Sequence, residues 1–400
     1  MPVPRHIAVV GASLAGLRGV EALRRDGYDG RITLIGAERH LPYDRPPLSK
    51  QVLAGALEPA EIALRRDPWD ELELELRLGT RAAGLDLRAR EVLLEGGERV
   101  AFEGLLVACG AAPRRLPGVA HLDGLHVLRS LDDALALRDA LAGGPRVVVV
   151  GAGFIGSEVA ATCRGRGLAV TLVEALAAPL VHALGPAVGA VCAALHRDHG
   201  IDLRCGVGVA AVEGCGRVER VTLSDGSRID ADLVVVGIGV APEVGWLAGS
   251  GLALGDGVLC DATCAASAPG VSAAGDVARW TNPLFGEAMR VEHWTNAIEQ
   301  GEAAARRLLL APEKAPAYAP VPYVWSDQYD RKIQIAGRLG PGDEMRVVEG
   351  SLAERRFVAL YGRGGRLAGA VAFNRAAALV RHKRRIAEGV SWDEALAAPG

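Results

Sequence analysis

Lysine is nearly missing from this chain: Lys50, Lys314, Lys332 and Lys383 are the only four, and arginine fills every other basic position. An excess of either charge is missing too, since 45 Lys and Arg face 48 Asp and Glu for a formal net charge of -3. No strong field therefore draws the whole chain to nucleic acid or an anionic membrane, and an electrostatic partner must meet a local patch. The cysteines number seven, an odd count scattered along the chain, which excludes a disulfide framework and points to reduced thiols. The opening MPVPRHIAVV lacks the charge, apolar run and small-residue order of a signal peptide, so the expected compartment is the cytoplasm. Residues 175–196 carry no Asp, Glu, Lys or Arg, yet Pro179, His182, Gly185 and Pro186 interrupt them. A spanning helix needs about 20 apolar residues, so this stretch reads as an Ala-rich helix with Pro186 in its first turn.

What is present is apolar material in quantity: 400 residues, 50% hydrophobic and 23% charged, exclude global disorder and at roughly 150 residues per domain imply two or three domains. One pattern occurs twice. Residues 6–35 and 146–174 each run as an apolar strand, a Gly-rich turn, an amphipathic helix and a second apolar strand. Short uncharged strands of this kind suit a parallel sheet buried on both faces. In such a turn the first glycine allows the bend, the second lets backbone approach a pyrophosphate, the third lets helix pack on strand, and the helix N-terminus holds the anion. Gly151, Gly153 and Gly156 fit fully, and Glu174 ends the next strand where a carboxylate can accept from a ribose hydroxyl. The first copy has Gly11 and Gly16 with Ser13 between them, and its acid is Glu38, one residue past the expected strand end. Further apolar strands are predicted in 104–118, 231–242 and 270–278, the last followed by Gly275-Asp276. The Pro-rich 312–322 marks a linker, after which a hairpin at 356–374 and two helices, the second opened by a Ser391-x-x-Glu394 capping box, form a small α+β tail.

These motifs together resemble the two-dinucleotide flavoproteins of the glutathione-reductase-like fold, and among them the oxygenase-coupled, NADH-dependent, putidaredoxin reductase-like ferredoxin reductases. The resemblance spans essentially the whole chain and rests on HLPYDRPPLSK at 40–50, ACGAAPRRLPG at 108–118, VAPEVGWLAGSGL at 240–252, AAGDVA at 273–278, NAIEQG at 296–301 and VWSDQYD at 324–330. It implies an α/β fold with two Rossmann-like dinucleotide-binding domains and a small C-terminal α+β domain. FAD would be held by 1–107 and 241–316, NADH by 108–240, and the tail would be 317–400. The implied FAD contacts are Gly11, Ser13, Ala15, Gly16, Glu38, Arg45, Lys50, Ala82, Arg129, Gly275, Asp276 and Trp294. The implied NAD contacts are Gly151, Gly153, Ile155, Gly156, Glu158, Glu174 and Gly239. Cys109 stands where the family usually has Thr, and Ala37 at a commonly acidic position. Disulfide-reducing relatives carry a Cys-x4-Cys pair after the second strand; here LPYDRPPLSK has no cysteine, so the flavin must serve an external acceptor.

The resemblance makes Lys50 and Glu158 catalytic, as a pair where nicotinamide meets flavin, and Trp325 part of the electron path. Blander alternatives stand beside these roles: a solvated surface lysine, a carboxylate favoured only by the helix dipole, and an interface tryptophan. No metal site is expected: Cys260 and Cys264 lack a second ligand pair and read as packed small residues. The implied enzyme takes NADH and FAD and reduces a small iron–sulfur ferredoxin that serves a haem-thiolate monooxygenase or another oxygenase, with no nucleic acid or membrane partner. A rubredoxin reductase, an NADH oxidase and a redox-sensing interaction protein of the apoptosis-inducing-factor type are the alternatives. The ferredoxin docking surface is expected among Arg306-Arg307, Arg331-Lys332 and Arg381–Arg385, because acceptors of this type are acidic.

Overall fold

The computed structural model describes residues 3–119 and 122–397. Contacts divide the chain into two units, one made of Met1–Asp44, Ala63–Ala112 and Ala241–Pro322, the other of Arg45–Ile62, Pro113–Val240 and Tyr323–Gly400. In the first unit a five-stranded parallel sheet runs Val271–Ala273, Gly104–Val107, His6–Val10, Arg31–Ile35, Leu74–Arg77. Three of its strands, Val271–Ala273, Gly104–Val107 and His6–Val10, carry no Asp, Glu, Lys or Arg, as covered faces require, and charge enters only toward the edge, at Arg31, Glu75 and Arg77. Alternate side chains go to opposite sides: Ala8 and Val10 join one core with Val92, Val258 and Val271, while Ile7 and Val9 join another with Leu17, Val20 and Ala305. The helix Leu14–Arg25 crosses the helix Trp294–Arg307 on small residues, where Gly19 sits 3.2 Å, measured from an added Cβ, from the Gly301 carbonyl oxygen.

The second unit repeats the plan with strands Asp202–Cys205, Val170–Glu174, Val147–Val150, Leu233–Val236 and Leu125–Val127, all parallel. Val147 and Val149 pack against Val159, Ala160 and Cys163 of the helix Phe154–Gly165, and Val148 and Val150 pack against Val218, Val221 and Leu223. In each unit the Gly-rich turn follows the central strand, where the strand order reverses, which is the place such sheets bind ligands. The expected helix in 175–196 is Val181–Asp198, broken at Gly185 (φ 78°) so that Pro186 opens the longer part. Among the described residues no helix is long and apolar enough to cross a membrane.

The tail is a five-stranded antiparallel sheet, ordered Tyr323–Gln328, Arg331–Gly337, Arg366–Phe373, Arg356–Arg363, Glu344–Ser351. Ile333, Phe357, Val371 and Phe373 share a core with Leu184, Val188 and Cys192 of the interrupted helix. The expected hairpin is the pair Arg356–Arg363 and Arg366–Phe373, and the helices are Ala376–Ala387 and Trp392–Ala397. Ser391 and Glu394 make the reciprocal bonds of the capping box, Ser391 N–H to Glu394 Oε2 at 3.1 Å and Glu394 N–H to Ser391 Oγ at 3.3 Å.

Two expectations on stability follow from this packing. Alanine normally stabilises a helix interior by about 1 kcal/mol over glycine, but a Cβ on Gly301 would run into the Ala15 carbonyl oxygen, which is backbone and cannot step aside. Gly301→Ala therefore costs about 1–3 kcal/mol, checked by urea unfolding; a stabilised variant would contradict the close helix crossing. His196 is wholly buried, with Nδ1 2.9 Å from the Tyr329 hydroxyl and Nε2 without a partner among the described residues. Burial lowers its pKa from 6.5 to about 4. The folded state thus refuses a proton that the unfolded state takes, so stability falls as pH drops from about 6.5 to about 4 and changes no further below that. In His196→Phe the loss over this window shrinks, read as the pH dependence of the urea midpoint.

Candidate active site

In the first turn Gly11 has φ 124° and donates its N–H to the Ile35 carbonyl at 2.8 Å; any Cβ there would collide with the Ala108 backbone, and one on Gly16 with the Gly11 carbonyl. Ser13 is the N-cap of the helix that carries Ala15 and Gly16, and that helix has no acid in its first turn to compete with an anion. Glu38 accepts from the Tyr43 hydroxyl at 2.5 Å, and its carbonyl accepts from Gly79 N–H at 2.9 Å, which brings in the segment leading to buried Ala82. Opposite the turn, Gly275 adopts φ 74° with its N–H on Gln300 Oε1 at 2.9 Å, and Ala15 lies 3.2 Å from where its Cβ would be. Asp276 follows, half-buried. Trp294 opens its helix and donates Nε1–H to Asp44 Oδ1 at 2.6 Å. Cys109 donates from Sγ to the Glu243 carbonyl at 3.2 Å, a task a threonine hydroxyl also performs, and burial pushes the thiol up to about 12.

The second turn is more open. Gly151 (φ 97°) and Gly156 are closed to any side chain by the Gly237 and Gly151 carbonyls, whereas a Cβ on Gly153, the helix N-cap, would meet nothing within 4 Å. That open space at the N-terminus of a helix with no acid in its own first turn fits a pyrophosphate. Glu174 holds the turn, accepting from Ala152 N–H at 2.7 Å and Leu176 N–H at 2.8 Å, and each oxygen keeps a lone pair for a ribose hydroxyl. Ile155 is 46% exposed on the same helix turn. Gly239 (φ 90°) follows the adjoining strand and accepts from Arg114 N–H at 2.9 Å.

Two residues later in that helix lies Glu158, 3% exposed. Its Oε2 accepts from Lys50 Nζ at 2.7 Å and Ser49 Oγ at 2.5 Å; its Oε1 accepts from Ser326 Oγ at 2.8 Å and Asp327 N–H at 3.3 Å. A carboxylate offers about four lone-pair sites, and all four are used, which offsets a desolvation cost of several kcal/mol. The Lys50 side chain is only 14% exposed, so it is no solvated lysine. Ser49, Ser326 and Asp327 were not singled out by sequence, although two of the motifs contain them; their meeting with Glu158 spans 109 to 169 positions and has no local signature. Arg45 reaches the Arg129 carbonyl at 2.6 Å. Trp325, on the strand that carries Ser326, stacks on Tyr323 with centroids 6.0 Å apart, and Lys383 Nζ lies 5.7 Å from the Tyr323 centroid. The basic runs carry acids of their own: Arg306 pairs with Asp26, Arg331 with Asp330, Lys332 with Asp327 and Arg381 with Glu349. Cys264 is buried and burial raises both it and Cys260.

Two nucleotide cradles, one followed by a buried lysine–glutamate pair, define a pyridine-nucleotide-linked oxidoreductase with two dinucleotide sites. The chain belongs to the pyridine nucleotide-disulphide oxidoreductase family, whose model matches residues 5–301, and residues 323–399 match the reductase C-terminal domain. It is 38% identical to the anthranilate 1,2-dioxygenase system ferredoxin–NAD(+) reductase component of Burkholderia cepacia over 96% of this chain and 95% of that one. It is 42% identical to the biphenyl dioxygenase system ferredoxin–NAD(+) reductase component of Paraburkholderia xenovorans over 84% of this chain and 82% of that one. Among solved structures, the covalent putidaredoxin reductase–putidaredoxin complex superposes with a TM-score of 0.91 at 33% identity, covering 96% of this chain and 93% of that chain. The expected α/β fold with two Rossmann-like cores and an antiparallel C-terminal domain is the one observed. The cofactors are FAD and NAD(H).

In turns of this kind a carboxylate at the end of the second strand disfavours a 2′-phosphate; Glu174 ends that strand here, and the next arginine along the chain is Arg197. NADH is expected to exceed NADPH in kcat/KM by more than about tenfold, or about 1.4 kcal/mol. Glu174→Ala with Ala175→Arg moves the ratio toward NADPH; equal specificity constants in the unaltered protein would refute the assignment.

Proposed function

We propose that the protein is an FAD-containing NADH:ferredoxin reductase that serves an oxygenase: NADH and two oxidised ferredoxins yield NAD⁺, a proton and two reduced ferredoxins. The carrying observation is the buried Lys50–Glu158 pair beside the second nucleotide turn, in a chain whose 40–50 segment has no cysteine to relay electrons. Bound FAD supplies a group that takes two electrons as hydride and gives them up singly. The residues do the rest. Gly11, Ser13, Ala15, Gly16, Glu38, Ala82, Gly275, Asp276 and Trp294, with Arg45, Lys50 and Arg129, hold FAD; Gly151, Gly153, Ile155, Gly156, Glu174 and Gly239 hold NADH. Glu158 holds the Lys50 ammonium in place for the hydride step, and Trp325 lies on the path out. Segments 1–107 and 241–316 form the FAD-binding part, 108–240 the NADH-binding part and 317–400 the acceptor-side domain. A reduced ferredoxin partner and unpaired thiols fit a cytoplasmic protein.

The test separates the two half-reactions. In stopped flow, Lys50→Ala slows flavin reduction by NADH roughly tenfold to a hundredfold, about 1.4–2.8 kcal/mol. Ferredoxin reduction by the pre-reduced variant stays within about twofold of the unaltered rate, since that step uses neither residue. Unchanged hydride transfer in Lys50→Ala removes the pair from the reaction, and a purified protein that takes up no FAD removes the function.

A further inference from the structure

The strand Tyr323–Gln328 ends in a residue that local rules do not explain. Gln328 is fully buried; its Nε2 donates to Ser326 Oγ at 3.2 Å, while its Oε1 has no partner among the described residues. Leaving a buried carbonyl unsatisfied costs about 1–3 kcal/mol, so the amide is retained for its donor end. The Ser326 hydroxyl has a single hydrogen. With the Gln328 amide pointing its N–H₂ at Oγ, that hydrogen is forced toward Glu158 Oε1, 2.8 Å away. A reversed amide would claim the hydrogen and leave the Glu158 oxygen short of a donor.

We propose that Ser326, its hydroxyl oriented by Gln328, is a positioning residue for the hydride step: it fixes one oxygen of Glu158 so that the other holds the Lys50 ammonium. The chain of bonds runs Gln328 to Ser326 to Glu158 to Lys50, joining the C-terminal domain to the site lysine within one compact unit. Among the described residues, Lys50 is the only charged side chain bonded to Glu158. Asp327 contributes its backbone N–H alone, its carboxylate being turned to Lys332 Nζ at 3.6 Å. The positioning role rests on the reading that Lys50 and Glu158 serve hydride transfer.

The FAD-loaded protein and its Ser326→Ala variant are compared in two ways. First, in stopped flow the variant's flavin reduction at saturating NADH slows about three- to tenfold with the apparent NADH Kd within twofold. Second, Ser326→Thr, which keeps the hydroxyl, returns that rate to within about twofold of the unaltered protein, whereas a slow Ser326→Thr overturns the proposal. Normal reduction in Ser326→Ala while Lys50→Ala is slow overturns the positioning role alone; normal reduction in both overturns the reading beneath it. If Ser326→Ala fails to fold, Gln328→Met, which keeps the hydroxyl but frees its direction, must slow flavin reduction in smaller measure with the apparent NADH Kd within twofold, and an unchanged rate overturns the proposal.

Discussion

A single buried carboxylate organises the second unit. Glu158 lies out of water, and a charge so placed is tolerated only when every lone pair is met. Meeting them draws in Ser49 and Lys50 from the segment after the first nucleotide fold, and Ser326 and Asp327 from the C-terminal sheet. The segment is tied further by the Ser49 carbonyl, which accepts from Thr162 Oγ1 at 2.8 Å on the same helix as Glu158. The carboxylate thus converts a desolvation penalty into a fixed lysine.

The two glycine-rich turns share one geometry and differ in their middle residue. Both use positive φ at the first glycine and closure against a neighbouring carbonyl at the third. The second keeps open space at Gly153, whereas the first places Ser13 at that position and builds the opposite wall from Gly275, Asp276 and the helix that Trp294 opens. The chain therefore provides two anion cradles on two parallel sheets, each at the point where strand order reverses.

The charge pattern limits how an acceptor is met. The net charge is -3 overall, and Arg306, Arg331, Lys332 and Arg381 each have an acid as partner. Lys383, by contrast, lies over Tyr323, whose ring stacks on Trp325. Steering of an acceptor by charge therefore has to come from local groups, and exposed contacts of that kind weaken with salt.

Much of the fold was legible in the sequence because local rules decide it. Uncharged strands, glycines at turn spacing, Pro186, the Ser391–Glu394 box and the 356–374 hairpin are each read from a few consecutive residues, and each is present in the structure. Lys50 and Glu158 stood out as residue types beside turns and were joined as a pair only by the resemblance. That Lys50 is buried, that both oxygens of Glu158 are filled, and that Ser326 and Gln328 belong to the same chain of hydrogen bonds were decided by tertiary structure. Periodicity reports which face of an element is buried, whereas a hydrogen bond between residues more than a hundred positions apart leaves no period to read.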